Sequence, residues 1–183
     1  MAEEVGSPWE LASSVLEPLK GPSRARSDKM SERDRFDDEA WRTLTEAPYF
    51  AVMAMMSTGN VGPIGLFKEV RAAGKATKHP EDGSALIKEL SAAAGSNKVQ
   101  REVQGRVGSP SKDEMASTAM PGLHAAAKTI ATLPPDEADA VVGFVVDVSR
   151  AVAEAVADRG ESKKVSTAEE DMLRTIEATL RGG

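Results

Sequence analysis

Five valines set the terms on which this chain can fold. Val142, Val145, Val148, Val152 and Val156 recur at spacings of 3, 3, 4 and 4, the repeat of one face of an α-helix. Val141 to Val148 alone is β-branched enough to read as a strand, but the helical period continues past it and decides for a helix. Pro134 and Pro135 open that helix, with Asp136 and Glu137 in its first turn, where acidic groups complement the exposed amides. Asp147, Arg150, Glu154 and Asp158 form its wet side. A helix with one apolar stripe has to bury that stripe against other elements, so the question becomes what else the chain supplies.

It supplies more helices. After a Gly160 to Lys164 turn, Ser166 and Glu169 form a capping box for a last helix through Met172, Leu173, Ile176 and Leu180. Near the other end, Asp37 is a good N-cap, flanked by Phe36 and Trp41 in the positions of a hydrophobic staple. Trp41, Leu44, Ala47, Ala51 and Met55 follow at spacings of 3, 3, 4 and 4, which predicts a helix with one buried face, kinked at Pro48. Ser57 to Gly62 stops it, and Pro63 opens a helix to about Lys78. Further helices are expected from Ser84 to Ala94, stopping at Gly95 as a fit C′ residue, and from Asn97 to Arg106. Lys112 to Ala119 and Gly122 to Thr132 read as separate helices on either side of Pro121.

The expected architecture is therefore all-α, a helical bundle of about six to seven helices over residues 36–183, a single domain. Residues 1–35 read as a disordered N-terminal tail, because Gly, Pro, Ser and the alternating charges from Arg24 to Arg35 can bury little. Met30 followed by Ser31 is a candidate translation start. Hydrophobic residues make up 40% of the chain and 28 of them are Ala, which is enough for one modest core.

Composition excludes several classes. With no Cys there is no disulfide framework, thiolate metal site or cysteine nucleophile. Glu3 and Glu4 stand where a signal peptide carries positive charge, which predicts a cytoplasmic protein. The longest uncharged run, Ala47 to Phe67, is interrupted by Pro48, Gly59, Gly62, Pro63 and Gly65 and reads as two helix segments rather than a membrane span. His79 and His124, the two histidines, lie in no local arrangement with a carboxylate or hydroxyl suited to acid-base or nucleophilic work. No phosphate-binding glycine loop, zinc spacing or nucleophile elbow is present. The net charge of -6 disfavours nucleic acid as a partner for the whole chain.

Laying Gly59 on Gly160 superimposes the Trp41 stripe on the Val142 stripe. That is the pattern of a duplicated helix-turn-helix unit, and it is also a spacing that any two amphipathic helices share. The run Val152-Ala153-Glu154-Ala155-Val156-Ala157-Asp158-Arg159-Gly160, followed by Val165-Ser166-Thr167-Ala168-Glu169-Glu170, resembles the helix, acidic turn and Ser-x-x-Glu helix start of the tellurite-resistance TerB-like helical proteins. Trp41-Arg42-Thr43-Leu44-Thr45-Glu46-Ala47-Pro48-Tyr49-Phe50 is similar to the opening of bacterial proteins with two such units. The resemblance implies a bacterial, stress-related helical protein with a divalent cation, calcium or magnesium, at its acidic turns. Here the first turn, Ser57-Thr58-Gly59-Asn60, has no carboxylate, and the second has Lys163 and Lys164 close by; both departures weigh against metal more than against fold.

Three functional expectations follow. The first is a non-enzymatic binding or interaction module for a protein partner. Its candidate surface is the basic row Lys68, Arg71, Lys75 and Lys78, spaced 3, 4 and 3 on one helix face and suited to an acidic partner. The second is a TerB-like divalent-cation binder using Asp158, Glu161 and Glu169, hard oxygen ligands around one turn without the EF-hand spacing. The third is an amphitropic membrane-associated protein in which Ala47 to Phe67, with Met53, Met55 and Met56, hinges out to meet lipid or a partner.

Overall fold

Each helix of the computed structural model, which describes residues 31–58, 84–157 and 165–182, begins where the chain offers an oxygen or a proline to begin it. Among the described residues six α-helices occur: α1 Asp38–Thr58, α2 Ala85–Ala94, α3 Asn97–Val107, α4 Lys112–Ile130, α5 Pro135–Ala157 and α6 Thr167–Leu180. Asp37 Oδ1 accepts from the Ala40 amide at 2.7 Å, and Ser84, Ser96 and Ser166 accept from Ile87, Val99 and Glu169 at 3.3 Å each. Ser166 and Glu169 close the expected capping box, with the Ser166 amide donating to Glu169 Oε2 at 2.7 Å. No strand occurs among the described residues, and the fold is an all-α bundle.

The valine helix behaves as its period requires. Val142, Val145, Val148 and Val152 are buried, while Asp147, Arg150 and Glu154 are exposed. The Trp41 stripe does not. Instead of one buried face, α1 is buried all round from Leu44 to Met56, apart from the half-buried Phe50. The reason is topological: α1 packs against all five other helices, most extensively against α4. The stripe captures one face only: Tyr49, Val52, Met53, Ala54 and Met56 on the remaining faces are buried as well, and the small Val52 and Ala54 let neighbours approach. Met53, Met55 and Met56 are at most 3% exposed, so this end of the uncharged run fills the core and is not a surface groove. The remainder of that run, residues 59–67, lies outside the described residues, as do Gly59 and Gly160 of the proposed duplication.

Three further expectations are corrected. Pro121 does not divide two helices, because α4 runs unbroken from Lys112 to Ile130. Pro121 and Ser117 are both exposed, so water can satisfy the Ser117 carbonyl that the ring leaves without a donor. Gly95 does end α2, but as its C-cap with φ -70° rather than as a C′ glycine; the positive-φ exit belongs to Gly108 at φ 68° after α3, a conformation that glycine adopts without steric cost. Ser31 to Arg35 is also not tail: Glu32–Arg35 forms a 3₁₀ helix tied to α2 and α5. One compact unit of the fold begins at Ser31, five residues ahead of the expected Phe36.

Three α1 contacts tie it to its neighbours. Gly122 of α4 lies against the Phe50 ring, and about two turns away along both helices the Thr43 and Thr129 hydroxyls meet at 2.9 Å. On the other side the buried Tyr49 hydroxyl donates to the Ala94 carbonyl at 2.6 Å, satisfying one of the acceptors that the end of α2 leaves unpaired.

Candidate binding groove

The strap ahead of α1 explains how one indole comes to line a groove. The Glu89 carboxylate on α2 accepts from Ser31 Oγ at 2.6 Å and from the Glu32 and Arg33 amides at 3.0 and 3.1 Å, acting as an anion on the first amides of the 3₁₀ helix. The Ser31 hydrogen bond is the main reason that its carboxyl titrates below the usual Glu range, against the effect of burial. At the other end of the strap Arg35 forms a two-point ion pair with Glu137 of α5, at 2.9 and 2.7 Å, and a second pair with Glu32 at 2.6 Å. These hold its guanidinium well above the ordinary arginine value.

Between these anchors, Arg33 is aimed at α1. Its Nη1 donates to the Phe36 carbonyl at 2.6 Å, its guanidinium pairs with Asp38, and it lies 5.7 Å from the Trp41 ring centroid, within cation-π range. Phe36 meets the same ring at 5.8 Å and 42°, the staple that the sequence predicts. Trp41 remains only half-buried, and its indole N–H has no acceptor among the described residues.

Opposite Trp41 stand the turn between α2 and α3 and one face of α3. The space between is a groove of about 710 Å³, within the size range of small-ligand sites. Arg33, Arg42, Lys98 and Arg106 reach it against two carboxylates, Asp38 and Glu102, so its lining is net cationic in an acidic chain. Arg106 is fixed by an ion pair with Glu46, a carboxylate on α1 only 2% exposed. Arg42 and Lys98 are held less firmly, with Glu39 at 3.7 Å and Glu102 at 4.0 Å, both exposed pairs of little energetic weight.

A second, shallower space of about 580 Å³ lies between the start of α1 and α4, beside His124, Lys128 and the Thr43–Thr129 pair. His124 is exposed, and its Nδ1 donates to the Met120 carbonyl at 2.9 Å. Asp37 of this space is already the α1 cap.

Of the metal candidates, Glu169 is the one described. It is 9% exposed and its Oε2 accepts from the Ser166 amide and hydroxyl. Asp158 and Glu161 lie outside the described residues, as do Lys68, Arg71, Lys75, Lys78 and His79. Among the described residues no three His, Asp or Glu side chains converge as a metal site, and no helix is long and apolar enough to cross a membrane. The Trp41 groove is not legible in the sequence, whose pattern puts Arg33 in a tail and Trp41 on a buried stripe. Comparison with protein-family models, curated proteins and solved structures returns no match.

Proposed function

We propose that this chain is a non-enzymatic interaction module and that its docking place is the groove beside Trp41. The observation that carries this reading is the half-buried indole at the wall of a net cationic groove, with its N–H unmatched among the described residues. Trp and Arg are the residues most enriched where binding energy concentrates, and here the strap that carries Arg33 onto the Trp41 ring is held by Glu89 and Glu137 before any partner arrives. Such pre-ordering lowers the entropy cost of association. The setting we propose is the bacterial cytoplasm, with a stress-related role, as the tellurite-resistance resemblance implies.

Photo-crosslinking tests the docking place. A crosslinking amino acid at Lys98 in native cells is expected to trap a protein partner that the same group at Asp147, on the wet side of α5, does not. Equal trapping at both positions, or none at Lys98, would refute it.

A further inference from the structure

We infer that the occupant of the Trp41 groove is an acidic peptide segment of the partner protein; this rests on the docking place proposed above and names its ligand. The first argument is charge. Four cationic side chains and two carboxylates line the groove, although the chain as a whole carries -6. A cationic lining selects locally for negative ligands.

The second argument is exchangeability. Arg33 and Arg106 are occupied by Asp38 and by the buried Glu46. Arg42 and Lys98 are occupied only by exposed carboxylates at 3.7 and 4.0 Å. A peptide carboxylate arriving with better geometry displaces Glu39 and Glu102 at small cost and makes charge-assisted hydrogen bonds in their place. The indole N–H is a further donor for the same ligand.

The third argument separates a peptide from a nucleic acid. A phosphodiester backbone brings acceptors only, and the Asp38 and Glu102 carboxylates at the groove oppose it. A peptide brings carboxylates for the cations and amide N–H donors for those two acids. The Trp41 ring is also already engaged by the Arg33 guanidinium and by Phe36, which leaves it poorly placed as a stacking platform for bases.

The chain has two Trp residues, so Trp9→Phe in the full-length protein makes Trp41 the single fluorescent reporter. Three short peptides of equal length, each with one central Leu in an Asp/Glu, a Ser/Gln or a Lys/Arg context, are titrated against it, together with a short single-stranded RNA. The acidic peptide is expected to shift Trp41 emission in a saturable way. Its affinity should fall about tenfold or more at high salt, and by a similar factor in the Arg42→Glu, Lys98→Glu double variant, while Asp147→Lys leaves it unchanged. Far-UV circular dichroism confirms that each variant is folded, and Arg42→Gln supplies a milder variant if the double reversal is not. Tighter binding of the neutral or basic peptide, or of the RNA, would overturn the acidic occupant and leave the groove as a docking place. No response to any ligand, with no Lys98 crosslink in cells, would overturn both.

Discussion

A Cβ built on Gly122 falls 2.4 Å from Cδ2 of Phe50, so α1 and α4 cross at a distance that only a hydrogen at this position allows. Gly122→Ala is therefore expected to destabilise the bundle by about 1–3 kcal/mol, the usual cost of overpacking, despite the better helix propensity of Ala. In a Phe50→Ala background the same substitution should cost far less, and urea denaturation of the four proteins measures the coupling. Equal costs in both backgrounds would mean that the contact does not set the spacing.

Glu46 is the one acidic side chain in the fully buried part of α1, and Arg106 is its ion-pair partner. Removing the arginine strands a buried charge. Since Arg106 is 44% exposed, water screens part of the loss, and Arg106→Ala is expected to cost about 1–3 kcal/mol. The Glu46→Gln, Arg106→Ala double variant should recover much of it. A double variant as unstable as the sum of the singles would show that the two residues act independently.

Tyr49→Phe removes the hydroxyl that serves the Ala94 carbonyl in the core. An unmatched buried acceptor costs about 1–3 kcal/mol, so thermal unfolding should move to clearly lower temperature with no change in helix content. An unchanged midpoint would mean that another donor replaces the hydroxyl.

Glu89 makes stability dependent on acid pH in a defined direction. Its folded-state carboxyl is held below the ordinary value, about 4.3 in an unfolded chain. Its contribution is thus complete above that ordinary value and is lost as pH falls through the lower folded value. Denaturation midpoints measured from neutral pH to about pH 3 should drop more steeply for the native chain than for Glu89→Gln. Parallel curves would remove Glu89 as the anchor of the strap.

Helix starts were legible because capping is local: Ser84, Ser96, Ser166 and Asp37 announce themselves within three residues of the amides they serve. The valine stripe was legible because α5 lies at the outside of the bundle and so has a wet side to contrast with. What escaped detection depends on partners distant in sequence. Arg33 and Arg35 look like solvated charges until Glu89 and Glu137 are brought to them. Gly122 and Pro121 look like a break until α1 lies alongside. The central position of α1 follows from packing on five sides, and a single stripe cannot report that. The groove combines these cases, with one wall from the strap and the other from the α2–α3 turn, some 60 residues away along the chain.

The burial of α1 has a consequence for how the molecule breathes. A helix that touches every other described helix cannot leave its place while they keep theirs, so the amides of Leu44 to Met56 are expected to exchange with solvent hydrogen only when the bundle opens. Local fluctuations are left to the periphery of the bundle.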